Sequence, residues 1–284
     1  MVIDKYGIYV GPQSKTIGAK FHENREKPAL LRKLNEDPTH QINWETPYYT
    51  KFIDECVGGM DLSDKTILDL GCGDGRFTEY MVNKGANNVI CLDSHYDVLY
   101  SLSKYSEEIG FRDRLTLINC GAEETPVEPN SVDVILALGV FYYLGENQQK
   151  GVKSMYNILK KGGMMISSEP NLEGIALRSL IFNGLGDMVD NFNSGTFKEE
   201  QGDTKYRFPL HNKNKILSLY KDSGFKLDTQ KGLSTFHQFI RIMYVRGLIS
   251  KKELEKNLDN LRSIFDYLDE NGDFNKTMIY KHIK

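Results

Sequence analysis

Between Thr66 and Phe77 the chain reads Thr-Ile-Leu-Asp-Leu-Gly-Cys-Gly-Asp-Gly-Arg-Phe, and this stretch holds the residues best suited to chemistry. An acid, Asp69, stands two positions before the first of three alternating glycines, Gly71, Gly73 and Gly75, with Cys72 between the first two. Glycines at that spacing permit positive φ and, lacking a Cβ, let the backbone come close to a ligand. The preceding Thr66–Leu70 is an apolar run suited to a buried strand, and a helical pattern follows the glycines directly. Open α/β sheets build their ligand sites from this succession, at the carboxyl ends of their strands. The dinucleotide fingerprint Gly-x-Gly-x-x-Gly needs a glycine at 76, where this chain has Arg76. That disfavours a nicotinamide-dependent oxidoreductase.

Further polar groups recur where later apolar runs end. Asp93 and Ser94 follow Asn88–Leu92, and the turn Cys120-Gly121-Ala122-Glu123 follows Leu115–Asn119. Leu138 and Gly139 close Val132–Leu138. For proton transfer the candidates are Tyr142 and Tyr143, Glu169 after the fifth run, and His211 and His237 farther on. A general base must reach the proton it removes. Each of these residues also has an ordinary reading: a pocket wall for the tyrosines, a backbone cap for Glu169, loop or packing residues for the histidines.

These positions need elements to hold them. From Thr66 onward strand and helix patterns alternate: a helix over 76–83, a strand at 88–92, a helix over 96–109 and a strand at 115–119. A strand at 132–138 follows, apolar except for Asp133, as suits burial on both faces. The helix over 147–159 carries Val152, Met155, Tyr156 and Leu159 on one face, with Lys160, Lys161, Gly162 and Gly163 as its stop, and a strand at 164–168 comes next. Residues 171–206 break the alternation and read as a lid-like insertion. A helix over 212–223, a strand at 225–231 and an apolar-rich helix over 235–246 resume it. Ser250 and Glu253 form a capping box for a helix with Leu254, Leu258, Leu261, Phe265 and Leu268 on one face, closed by Asn271-Gly272. Thr277–Ile283 alternates as a last strand. The pattern predicts an α/β, doubly wound, mostly parallel sheet with helices on both faces. Residues 1–47 are expected to be an N-terminal extension or cap. The cluster of Trp44, Tyr48 and Tyr49 either caps a pocket or packs the extension onto the 48–284 domain.

The wording Leu-Asp-Leu-Gly-Cys-Gly-Asp-Gly resembles motif I of the class I S-adenosylmethionine-dependent methyltransferases, and the resemblance extends from about Tyr48 onward. It implies seven strands in the order 3-2-1-4-5-7-6, the last antiparallel. It implies S-adenosylmethionine as cofactor and S-adenosylhomocysteine as product. Asp69 would face the methionine end, with the backbone of Gly71–Gly75 beneath it, unless Asp69 serves only the dipole of the next helix. Asp93 would accept from both ribose hydroxyls, or else cap the following helix. Cys120–Pro126 resembles the family's adenine turn, but Gly121 replaces the aspartate that would meet the adenine amino group. The backbone of Ala122 and Glu123 would hold the adenine edge, with the Glu123 side chain a candidate partner for the amino group or simply a solvated charge. The expected reaction is methyl transfer to an oxygen or nitrogen of a small molecule. Protein or RNA methylation, and a non-catalytic binding module, are the alternatives.

Composition sets outer bounds. The 284 residues carry a net charge of −3 with 26% charged residues, so nothing in the charge balance calls for a nucleic-acid partner. No Asn/Asp-Pro-Pro-Tyr/Phe motif of amino-methylating nucleic-acid enzymes follows the fourth strand. Cys56, Cys72, Cys91 and Cys120 are scattered, without the pairing of a disulfide framework or a zinc site, so no metal is expected. With neither an apolar leader nor a run of about 20 apolar residues, the expected setting is the cytoplasm, away from membranes.

Overall fold

A computed structural model describes residues 2–17, 19–20, 41–201, 204–233, 240, 243–257, 260–261, 264 and 277–284. The glycine turn lies between β3 (Thr66–Leu70) and α2 (Arg76–Asn83). Alternation continues through β4 (Asn88–Asp93), α3 (Tyr96–Glu108), β5 (Leu115–Asn119), β6 (Val132–Leu138), α4 (Gln148–Ile158) and β7 (Leu159–Pro170). After β7 come α5 (Leu172–Asn183), α6 (Leu185–Ser194) and a hairpin of β8 (Thr196–Gln201) and β9 (Thr204–Pro209). The chain then returns to the main sheet through α7 (Lys213–Asp222), β10 (Lys226–Leu233) and β11 (Thr277–Ile283). Upstream of all these lie β1 (Val2–Ile3), β2 (Ile8–Val10) and α1 (Gln41–Val57).

The main sheet has the order β1-β2-β5-β4-β3-β6-β7-β11-β10. From β5 to β10 this is the expected 3-2-1-4-5-7-6 arrangement, with β11 antiparallel to both neighbours. The difference is at the other edge, where two further strands bring the sheet to nine among the described residues. Ile8–Val10 pairs parallel with Leu117–Asn119, and Val2–Ile3 pairs antiparallel with β2. The extension is therefore partly sheet, and a boundary at residue 47 would fall inside α1, which holds Pro47 in its interior.

Alternate side chains of the strands feed two cores. Ile67, Val89, Cys91, Leu117, Val134 and Ile166 pack with Phe52 and Ile53 of α1, Phe77 and Met81 of α2 and Leu99 and Leu102 of α3. Leu68, Leu70, Leu92, Ile135, Ala137 and Met165 pack on the opposite face with Val152 and Met155 of α4 and Ile216 and Tyr220 of α7. Fully burying each such Leu or Ile contributes about 1.5–3 kcal/mol. Asp133, the one acid in β6, accepts from the Thr66 backbone N–H at 2.9 Å and from Lys160 Nζ at 2.7 Å. That pairing corrects the expected helix stop: Lys160 to Gly163 belong to β7, which begins five residues earlier than expected.

The Ser250–Glu253 capping box forms, with the Glu253 N–H donating to Ser250 Oγ at 3.2 Å and the Ser250 N–H to Glu253 Oε2 at 2.8 Å. Leu254 is buried in the first core. Most of the helix expected over 235–246, with His237, lies outside the described residues, as do Leu258, Phe265, Leu268, Asn271 and Gly272.

Candidate functional site

The carboxyl ends of β3, β4, β5 and β6 share one rim. Gly71, Gly73 and Gly75 all have positive φ, of 66°, 54° and 91°. The turn is pinned by the Gly71 N–H, which donates to the Leu92 carbonyl at 2.7 Å. A Cβ on Gly71 would fall 2.7 Å from Val140 Cγ2, and one on Gly75 2.4 Å from Leu102 Cδ1. Around Gly73 there is open space. Cys72 is buried beside it. Asp69 is 3% exposed, and its Oδ2 accepts from Thr78 Oγ1 at 2.6 Å. Burial pushes its carboxyl up to about 7 despite that hydrogen bond.

Asp93 joins β4 to the glycine turn. Its Oδ2 accepts from the Gly73 N–H at 3.0 Å and its Oδ1 from the His95 N–H at 2.9 Å, with His95 Nδ1 3.2 Å away. A carboxylate has about four lone-pair sites, so acceptor capacity remains. Ser94 Oγ lies 3.2 Å from His95 Nδ1. Beyond β5 come Ala122 and Glu123 on a 3-10 turn. The end of β6 adds Leu138 and Gly139, whose N–H donates to the Ser168 carbonyl at 3.2 Å.

A segment missed at the level of sequence lies along this rim. The Gly11 N–H donates to the Asn119 carbonyl at 2.9 Å, and Gln13 Nε2 reaches Asn119 Oδ1 at 3.0 Å. Ser14 Oγ donates to Glu123 Oε1 at 2.9 Å, and the Ala19 carbonyl lies 3.1 Å from His95 Nε2. Farther on, Tyr206 Oη donates to the Lys20 carbonyl at 3.4 Å. The only signal in the sequence was Ile8-Tyr9-Val10 between Gly7 and Gly11, a short strand ahead of a turn.

A family model described as a methyltransferase domain matches residues 68–167, which run from within β3 to within β7 and include Asp69, the three glycines, Asp93, Glu123 and Gly139. A tRNA U34 carboxymethyltransferase of Vibrio cholerae is 26% identical over 154 residues, 54% of this chain and 45% of that protein. A ubiquinone biosynthesis O-methyltransferase of Nitrosomonas europaea is 30% identical over 134 residues, 47% of this chain and 54% of that one. The matched stretch thus spans about half the length of these curated relatives. A phosphoethanolamine N-methyltransferase 2 of Haemonchus contortus, solved with S-adenosyl-L-methionine, superposes with a TM-score of 0.55 at 18% identity. It covers 84% of this chain and 52% of that one. Residues 68–167 are a methyltransferase domain.

Of the five residues considered for proton transfer, Tyr142, Tyr143, Glu169 and His211 lie among the described residues. Glu169 is 4% exposed; its Oε1 accepts from Tyr220 Oη at 2.9 Å, and the Tyr142 N–H also reaches the carboxyl. Burial pushes it up to about 8. His211 is half-buried, its Nε2 2.8 Å from Gln148 Oε1, and desolvation lowers its pKa. Its backbone bridges Asn171, two positions past Glu169. Tyr143 stacks near Tyr142, with ring centroids 4.1 Å apart, and lies edge-on to Phe208 at 5.0 Å. Tyr142 and Tyr143 pack against Ile175, Phe197, Tyr206, Phe208 and Leu210, an apolar cluster belonging largely to the insertion. Tyr48 and Tyr49 are buried in the first core; Tyr49 Oη accepts from Ser168 Oγ at 3.3 Å. The side chain of Trp44 lies outside the described residues. Among the described residues no group of three or more His, Cys, Asp or Glu could hold a metal ion, and no helix is long and apolar enough to cross a membrane.

Proposed function

We propose that this chain transfers a methyl group from S-adenosylmethionine to an oxygen or nitrogen of a small molecule. The observation that carries this reading is the convergence of four adjacent strand ends, with Asp93 already bonded to the Gly73 N–H. The open space at Gly73 and the remaining acceptor sites of Asp93 fit an adenosyl group. Gly71 to Gly75 would carry the methionine portion on their backbone, with Asp69 beside the ammonium. Asp93 would take the ribose hydroxyls, Ala122 and Glu123 the base edge, and Leu138 and Gly139 would form the floor. When bound, the cofactor supplies an electrophilic methyl and a thioether leaving group.

The chain's own work is then to align the acceptor, exclude water and take a proton. Residues 171–209 would act as the lid, because their aromatic cluster with Tyr142 and Tyr143 shields the side next to β6 and β7. Of the described candidates for proton transfer, His211 is in the form a base requires: its lowered pKa keeps it neutral at pH 7. Glu169, raised to about 8, holds its proton there. His211→Asn is therefore expected to lower kcat by roughly 10²- to 10⁴-fold and leave cofactor affinity unchanged.

A second reading, modification of tRNA, has the Vibrio cholerae relative in its favour. Two of the three hairpin cations weigh against it, since Lys198 and Arg207 are both paired with Asp190, at 2.6 and 2.9 Å. Incubation with methyl-labelled cofactor, a metabolite extract and bulk tRNA separates the two. Label in a small molecule supports the first reading; label confined to tRNA overturns it.

A further inference from the structure

The two carboxylate oxygens of Glu123 have different surroundings. Oε1 accepts from Ser14 Oγ at 2.9 Å, while Oε2 is buried with no hydrogen-bond partner among the described residues. A buried acceptor without a donor is costly, so a donor from outside the chain would be favoured there. Gly121 shows what this oxygen fills. Its φ of −77° is open to any residue, so its backbone does not require glycine. A Cβ at 121 would instead lie 2.7 Å from Glu123 Oε2 and 3.0 Å from Ser14 Cβ. The carboxylate occupies the room that a side chain at 121 would take.

This turn is rigidly tied to the acid assigned to the ribose. The Cys120 N–H and Asn119 Nδ2 both donate to the Asp93 backbone carbonyl, at 3.1 and 3.0 Å. With a ribose at Asp93, the base would lie next along the rim, toward the neighbouring strand β5. An ionised carboxylate only accepts, so it favours a base edge bearing an N–H donor over one bearing a carbonyl.

Building on the cofactor reading above, we propose that Glu123 Oε2 selects the base by accepting from the exocyclic amine of adenine, and that Ser14 holds the carboxylate in place. Ser14, 109 positions earlier in the chain, is then a positioning residue. Glycine at 121 makes this possible, since a side chain there would displace the carboxylate.

The test uses the whole chain, with S-adenosylhomocysteine and its 6-oxo analogue S-inosylhomocysteine as calorimetric probes, and a melting midpoint for every variant. The wild type should prefer the adenosyl ligand by roughly 10- to 100-fold, the worth of one charge-assisted hydrogen bond. Glu123→Gln, whose amide can donate to the 6-oxo group, should level or reverse the preference. Glu123→Ala should level it, and Ser14→Ala should reduce it several-fold with an unchanged midpoint. A wild type that binds both ligands equally, or a folded Glu123→Gln that keeps the full preference, overturns the assignment. An unaltered preference in Ser14→Ala overturns the positioning role. A wild type that binds neither ligand overturns the cofactor reading itself.

Discussion

Asp69 and Glu169 are both buried acids at strand ends, and burial makes both hold a proton near neutral pH. With the cofactor placed as proposed, this would couple binding at Asp69 to protonation. A ligand ammonium beside it favours the ionised form, so cofactor binding at pH 6 should release close to one proton. Calorimetry in two buffers of different ionisation enthalpy measures this: the apparent enthalpy should differ between buffers for the wild type and agree for Asp69→Asn. Identical wild-type enthalpies would disprove the coupling. For Glu169 the consequence is stability. An unfolded glutamate loses its proton near pH 4.3, whereas the folded one keeps it to about 8. Between those values the unfolded chain binds fewer protons, so this group's contribution to stability is full below pH 4.3 and is lost as pH rises toward 8. The slope from this one group is at most about 1.4 kcal/mol per pH unit. Glu169→Gln should flatten that part of the profile in urea titrations at pH 5.5 and 7.5; an unchanged slope would mean Glu169 is ionised in the fold.

The three glycines of the turn after β3 are not equivalent, and alanine substitutions should tell them apart. Gly75→Ala combines a φ of 91° with a Cβ 2.4 Å from Leu102 Cδ1, so it should lower stability by about 1–3 kcal/mol. Gly73→Ala meets nothing within 4 Å and should cost only the strain of positive φ, about 1–2 kcal/mol. Because its new methyl would project into open space on the rim, it should lose cofactor affinity out of proportion to stability. Denaturation midpoints and the dissociation constant of S-adenosylhomocysteine for both variants check this contrast. At this scale the sequence was informative where an element is long or buried on both faces, as in β6, α2 and the alternation of β11. It misled where one local pattern had two solutions: Lys160-Lys161-Gly162-Gly163 reads as a helix stop, but Asp133, on the neighbouring strand, draws Lys160 into β7. The segment around Ser14 could not be read at all. Its residues are ordinary loop residues, and their partners, Asn119 and Glu123, lie 106 and 109 positions away.

Taken whole, the sheet is assembled out of chain order. Its two extra strands, β1 and β2, come first in the chain and flank β5 at one edge, which a reading of local pattern could not supply because they are only two and three residues long. At the other edge, β11 is inserted between β7 and β10, with seven-residue registers on both sides. Removing residues 277–284 should therefore leave β10 without its only sheet neighbour among the described residues. Hydrogen exchange is expected to accelerate across Lys226–Leu233 far more than across Thr66–Leu70, and equal protection of the two would argue against this. The same arrangement governs how the protein is made. While a ribosome is still translating residues before 277, the glycine turn, Asp93 and the strands around them have emerged, but β7 and β10 face a gap that, among the described residues, only β11 fills. For that interval the nascent chain exposes two unpaired strand edges, and this half of the sheet is the part for which a holding chaperone matters most.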